Sequence, residues 1–392
     1  MKDRPIRLCR VVTVPLTFKV LYWNQLRFFK ERGFKITLVS SPGAELDEVA
    51  RDLDVASHAI DMAREPTPWR DLKSLSLFSR WLKQQEFDVI HSSTPKAGLI
   101  AALAGWRCRV PVRVHTYTGQ VWMEKKGLSR LLIKTMDAVI GRLSTYCLTD
   151  SRSQRLFLIN NRVINKDKLG VVGAGSVAGV DLSRFNPIHW EAERVIVRRE
   201  CGISPTSVVI CYIGRLRADK GINELVSAFQ QLSAQSLDAD LLLVGPPEYD
   251  RKPVSAETMR AMQANPRIHV SGFTPTPERY LSAADLFCFP SYREGFGTAV
   301  IEAAAMGVPV VASRIQGCVD SVEDGVTGRL VPPKDATALK EALFDLATNV
   351  ELRRRMGHAA RNRAVRDFDS TLINRQVADC LEKLYRNANL GY

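Results

Sequence analysis

The chain has 392 residues, more than one ordinary hydrophobic core accommodates, so two domains are expected. Its apolar share of 45% and charged share of 25% are those of a folded globular protein, and its longest nearly apolar stretch, Gly98 to Trp106, is about half of what a membrane span needs. The formal net charge of +13 lies entirely in residues 1–190, which hold 30 Lys and Arg against 17 Asp and Glu, so an anionic partner is expected for that half.

In chain order, a strand-like run at Arg7–Val14 comes first. Arg7 and Arg10 interrupt its apolar residues, which is not the pattern of a secretory signal. Further strands are expected at Lys35–Val39, His58–Ile60, Val89–Ile90, Val112–His115 and Tyr146–Thr149. Helical patterns lie between them at Val20–Glu31, Glu45–Arg51, Asp71–Gln84, Ala97–Trp106 and Leu128–Leu143. Strands alternating with helices mean parallel βαβ units. The second half repeats the alternation from Val208 to Val331. Both halves read as doubly wound sheets, with ligand expected at the strand C-termini, facing a cleft. The last segment, Leu372–Tyr385, is an amphipathic helix.

Chemistry-bearing residues collect at the expected strand ends. His91-Ser-Ser-Thr-Pro-Lys96-Ala-Gly98 closes one strand and opens a helix, whose N-terminus favours an anion. The stretch from Arg113 to Trp122 closes the next and carries His115, which on spacing alone is a core histidine as readily as a site residue. Trp122, Met123, Leu128, Leu131, Leu132 and Met136 mix with Lys125, Lys126, Arg130 and Lys134, a composition that suits either anionic lipid headgroups or a packed helix with a basic outer face. Gly173, Gly175 and Gly179 imitate a dinucleotide loop, but turn residues follow them instead of a helix, so this stretch reads as the exit from the first domain. Asp238-Ala-Asp240 precedes its apolar run and reads as a solvated strand entry rather than a metal site. The eight cysteines form no Cys-x-x-Cys pair, and Cys9, Cys211 and Cys288 look like buried small apolar residues, which fits a reducing compartment. No zinc-finger, helix-turn-helix or RNP signature points to nucleic acid.

The second half carries the sharper pattern. After the run Val208–Ile213 stands Gly214-Arg215-Leu-Arg-Ala-Asp-Lys220-Gly221, where Arg215 supplies a fork and Lys220 a point charge for a diphosphate. Then Glu294-Gly295-Phe296-Gly297 leads into a helix, with Glu302 about two turns along. A carboxylate accepts two hydrogen bonds at once, which suits paired sugar hydroxyls. Gly307-Val-Pro-Val-Val, Gly317 and Glu323-Asp-Gly325 follow.

These four ordered motifs, over roughly residues 205–365, resemble the retaining GT-B glycosyltransferases of family 4. The first half is similar to bacterial members that extend polyprenyl-diphosphate-linked sugars in capsule, O-antigen or protein glycan pathways. The resemblance implies an α/β GT-B fold: two Rossmann-like, doubly wound parallel-sheet domains, an interdomain cleft and a C-terminal crossover helix. Residues 1–185 would bind acceptor, residues 186–369 would bind the nucleotide-sugar donor, and a helix at about 370–392 would pack back on the first domain. It implies a hexosyl- or N-acetylhexosaminyltransferase acting on a UDP-linked sugar, with no cofactor and no metal. Arg215 and Lys220 would stabilise the leaving diphosphate, Glu302 would hold the ribose and Glu294 the donor sugar. Gly214, Gly295, Phe296 and Gly297 would line the donor, Phe273 would lie beside the base, and His115 would face the sugar. Two departures stand out. The first β–α loop, Thr13 to Lys19, lacks the family's Gly-Gly pair, which turns Thr13, Thr17 and Lys19, with Lys96, toward the acceptor; and Gln316-Gly317 keeps one glycine of two. Expected partners are the donor, a lipid-linked or glycan acceptor and an anionic membrane surface, with the protein peripheral on the inner face of the cytoplasmic membrane. The rival readings are a nucleotide-sugar epimerase on the same scaffold and a non-catalytic glycan- or nucleotide-sugar-binding subunit.

Overall fold

Every strand pairs in parallel with its neighbours, and the same reversal of strand order occurs in two separate sheets. The computed structural model describes residues 4–62, 67–248 and 252–390. They fall into two compact units, Met1–Gly179 with Ser370–Tyr392, and Val180–Asp369.

The first unit holds β1 (Arg7–Val11), β2 (Lys35–Ser40), β3 (Ala56–Ala59), β4 (Val89–Ser93), β5 (Val112–Tyr117), β6 (Tyr146–Thr149) and β7 (Leu169–Val171), in the order β3-β2-β1-β4-β5-β6-β7. The chain switches direction across the sheet between β1 and β4, so the loops after these two strands diverge and leave a crevice at the carboxyl edge. Several strands depart from the sequence reading: β1 stops at Val11, β3 covers Ala56–Ala59 and β4 runs to Ser93. Leu169–Val171, read as part of the domain exit, joins the sheet as β7. β5 runs on past His115, because Thr116 and Tyr117 pair with Leu148 and Thr149.

The second unit holds β8 (Val208–Ile213), β9 (Ala239–Val244), β10 (Ile268–Gly272), β11 (Leu286–Phe289), β12 (Val310–Ser313) and β13 (Gly328–Val331), ordered β10-β9-β8-β11-β12-β13. Central strands such as Leu241–Val244 are apolar without alternation because helices cover both faces. β9 starts at Ala239, so Asp240 lies inside the sheet and is buried, not solvated.

The helix Ser370–Asn389 belongs to the first unit. Ile373, Val377, Ala378 and Leu381 repeat at helical spacing and enter the core with Leu26 and Phe29. Arg32 fixes its outer side through Asp379 at 2.5 Å and Glu382 at 2.7 Å. Among the described residues no helix is long and apolar enough to cross a membrane. Trp122 is wholly buried, its indole N–H donating to Asp137 at 2.7 Å, so it drops out of the mixed surface read around it. Leu128, Leu131 and Leu132 remain exposed there, Leu128 by 85%.

Candidate functional site

The second unit gathers its charges where β8 and β11 part. Gly214 and Gly245, which follow β8 and β9, both take left-handed φ values, +149° and +142°. A Cβ on Gly245 would stand 1.9 Å from the Gly214 carbonyl oxygen, so only glycine lets these loops touch. The Leu216 amide seals the contact by donating to the Pro246 carbonyl at 2.9 Å. This loop pair presents Arg215 and Arg217. Farther on, Gly221 packs so tightly on Pro290, just past β11, that a Cβ would stand 2.1 Å from its carbonyl oxygen. That contact brings Lys220 to Glu294, with Nζ 2.6 Å from Oε1.

Both arginines are already engaged with carboxylates. Arg215 donates to Glu248 at 3.2 Å. Arg217 forks onto Asp219 at 2.9 and 3.0 Å and reaches the other Glu248 oxygen at 3.1 Å. Arg217 and Glu248 were not singled out from the sequence. The available signal was an acid directly after Gly245-Pro-Pro at a strand end, one loop away from Arg215.

The Glu294 loop enters the helix Thr298–Ala305 through Gly297, at φ +90°. Glu302 is therefore one turn along the helix, not two. Gly317 backs this loop: a Cβ there would stand 2.6 Å from the Gly295 carbonyl oxygen. Phe296 is buried, edge-on to Phe368 at 5.3 Å, and so belongs to the core beneath the loop rather than to its open side. Phe273 is 69% exposed at the end of edge strand β10, two strands from β8. Burial pushes the half-buried Glu302 carboxyl up to about 7; Arg184 pulls it the other way and Glu278 adds to the rise. Arg184 itself is tied to Glu278 at 2.7 Å.

In the first unit the switch point is held by hydroxyls instead of glycines. Thr13 Oγ1 lies 2.7 Å from Thr94 Oγ1 and accepts the Ala97 amide at 3.3 Å. Thr94 adopts φ +72°, a strained conformation for a β-branched residue, as it turns the chain into the helix Pro95–Arg107. Lys96 pairs with Asp71 at 2.8 Å and Lys19 with Glu48 at 2.6 Å. Thr17 starts the turn Phe18–Tyr22. His115 lies inside the protein rather than at the rim. Its Nδ1 is 3.0 Å from Ser92 Oγ, its ring meets Tyr117 edge-on, and a Cβ on Gly98 would stand 2.4 Å from its Cε1. Burial pushes its pKa down to about 3, with Arg10 adding to the fall, so the ring is neutral. Arg10, also unforeseen, is wholly buried. It donates to the His91 carbonyl at 2.9 Å and Ser93 Oγ at 2.8 Å and stacks 4.1 Å above the Tyr22 ring.

Among the described residues no group of three His, Cys, Asp or Glu stands ready for a metal. Asp240 lies 2.5 Å from Ser207 Oγ and 2.7 Å from His269 Nε2, and Asp238 takes Arg267 at 2.5 Å, so both acids are engaged with protein partners.

Comparison with known proteins bears on family and fold. Residues 194–363 match the family model described as glycosyl transferases group 1, and residues 23–175 match the glycosyl transferase 4-like domain. The chain is 28% identical over 371 residues to the capsular polysaccharide biosynthesis glycosyltransferase CapM of Staphylococcus aureus, covering 94% of each. It is 24% identical to the UDP-Gal:alpha-D-GlcNAc-diphosphoundecaprenol alpha-1,3-galactosyltransferase of Escherichia coli, covering 93% of each. The fold superposes on Anabaena HepE, crystallised with UDP and glucose, with a TM-score of 0.81 at 19% identity, over 97% of this chain and all of that one.

The Glu302 environment gives a pH signature. A carboxyl whose folded pKa is raised contributes stability at low pH that is lost as pH rises. For Glu302 the loss begins near its ordinary value of 4.5 and is complete above about 7. Thermal melts of the Glu302→Gln variant should match wild type at pH 4.5 and exceed it at pH 8. Equal differences at both pH values would show that Glu302 ionises freely in the fold.

Proposed function

The chain belongs to the GT-B glycosyltransferases of family 4, and on that premise we propose that it transfers a sugar from a UDP-linked donor to a polyprenyl-diphosphate-linked sugar or growing polysaccharide in cell-surface glycan synthesis, with retention at the anomeric carbon. The observation that carries this reading is the Lys220–Glu294 pair at the point where β8 and β11 diverge, with Arg215 on the same loop as Lys220. Breaking the sugar–phosphate bond leaves negative charge on the diphosphate. Cations held in place beforehand stabilise that charge without reorganising at the moment of reaction. Arg215 offers a planar fork and Lys220 a mobile ammonium. Lys220 rests on Glu294 until the donor arrives; the diphosphate then takes the ammonium, and Glu294 turns its oxygens to the donor sugar hydroxyls. Glu302 accepts from the ribose, and Gly214, Gly295 and Gly297 let the backbone approach the donor. Phe273 supplies an exposed aromatic face for the base. With two protein cations on the diphosphate, no metal is needed. UDP is favoured by the ligand of the HepE structure and by the donor named for the Escherichia coli relative.

The first unit takes the acceptor in this reading. Thr13, Thr17, Lys19 and Lys96 border its crevice, and His115, closed in under Gly98, braces the wall through Ser92. The unit meets the membrane along the start of the helix Gly127–Leu143, where exposed Leu128, Leu131 and Leu132 alternate with Arg130 and Lys134, next to Lys125 and Lys126. Apolar side chains enter the headgroup boundary while cations answer anionic lipid, each worth about 1 kcal/mol near the surface. On this reading the enzyme works peripherally on the inner face of the cytoplasmic membrane, where a lipid-linked acceptor is available.

Replacing Arg215 or Lys220 with Ala should lower turnover by roughly 10²–10³-fold, the scale of one lost charge-stabilising donor. Chelator should leave wild-type turnover unchanged. Near-normal rates in both folded variants, or a strict need for a divalent ion, would overturn the clamp.

The full chain should float with anionic vesicles at low salt and much less at high salt, because screening shortens the attraction. Changing Lys125, Lys126, Arg130 and Lys134 to Gln should abolish flotation and leave nucleotide binding intact. A wild-type protein that ignores anionic vesicles at low salt would remove the membrane from the account.

A further inference from the structure

We propose that Glu248 is a placeholder carboxylate: it occupies the guanidinium of Arg215 while the donor site is empty, yields it to the incoming diphosphate, and retakes it as the nucleotide leaves. The proposal rests on the reading that Arg215 binds the diphosphate. Two features carry it. Glu248 is bifunctional, with Oε1 3.2 Å from Arg215 Nη1 and Oε2 3.1 Å from Arg217 Nη1. The two arginines are not equivalent. Arg217 is buried and keeps Asp219 as a bidentate partner whether or not Glu248 stays. Arg215 is nearly half exposed, and among the described residues its ion pair is with Glu248. A diphosphate arriving at Arg215 therefore displaces one partly exposed hydrogen bond and leaves Glu248 anchored on Arg217.

The backbone fixes Glu248 for this part. The loop after β9 runs against the loop after β8 through the Leu216–Pro246 hydrogen bond and the bridge between Leu216 and Pro247. Glu248 thus follows directly on a pinned segment and cannot drift far when released. Its carboxylate stays within reach of Arg215 and competes for it. Glu248 then weakens retention of the leaving nucleotide, which suits an enzyme that must release its product diphosphate before the next cycle. Asp219 does not play this role, since its carboxylate is held by Arg217 and by Lys252 at 3.4 Å.

Calorimetric titration with UDP, using the full chain, tests the idea. Glu248→Gln should bind UDP roughly fivefold more tightly than wild type, the scale set by one partly exposed ion pair. A gain in affinity is the reverse of what a damaged loop produces, so it separates competition from mere structural support. Arg215→Ala should bind UDP more weakly, and adding Glu248→Gln to it should restore nothing, because the competition has lost its object. Unchanged or weaker binding by Glu248→Gln would overturn the placeholder role while leaving the clamp standing. Wild-type affinity in Arg215→Ala, or no UDP binding by the wild-type chain, would instead remove the clamp itself and the placeholder with it.

Discussion

A lysine and a glutamate from two diverging loops, Lys220 and Glu294, meet at 2.6 Å where strand order reverses in the second sheet. That contact depends on glycine. Gly221 lies so close to Pro290 that no side chain fits between the loops, and Gly317 leaves little more room behind Gly295. The chemistry of the site therefore follows from backbone approach first and from charge second. Neutral side chains at 220 and 294 would leave the loops together without this pair of charges. A Cβ at 221 would drive the loops apart and strand the charges.

The cations expected to serve anions are paired with carboxylates. Lys220 rests on Glu294, Arg215 on Glu248, Lys96 on Asp71 and Lys19 on Glu48. Pairing keeps strong charges from repelling one another and holds their side chains near working positions. It also means that binding exchanges one anion for another instead of filling bare cations. The first unit solves its own switch point differently, with Thr13 and Thr94 hydroxyls and a strained backbone where the second unit uses glycine. This is the physical content of the missing Gly-Gly pair.

Much of this was legible in the sequence because the chemistry restricts residue type. Parallel buried strands demand apolar runs, loop contacts demand glycine, and a diphosphate demands Arg or Lys, so Gly214, Arg215, Lys220, Glu294 and Gly297 stand out by identity and order. What escaped was register and depth. His115 looked terminal because the apolar run stops there, yet Thr116 and Tyr117 extend β5 and Gly98 lets a helix close over the ring. Trp122 looked amphipathic, but Asp137, fifteen residues on, takes its indole N–H and Phe157 stacks on its ring at 5.0 Å. Glu302 shifted by a turn because the helix begins at Thr298. Arg10 read as an interruption in a strand, while the fold buries it against Tyr22 and Ser93. All but the Glu302 shift depend on a neighbour distant in sequence, which one-dimensional spacing does not contain.

The central claim is acceptor-dependent sugar transfer from a nucleoside diphosphate at the Lys220–Glu294 cluster. Proton NMR of the full chain with a UDP-sugar, in the presence and absence of a vesicle-borne undecaprenyl-diphosphate-linked sugar, tests it most directly. The account predicts that UDP is released together with a new anomeric signal of the same configuration as the donor, and only when acceptor is present. Conversion of the UDP-sugar into another UDP-sugar without acceptor, or a product of inverted configuration, would contradict it.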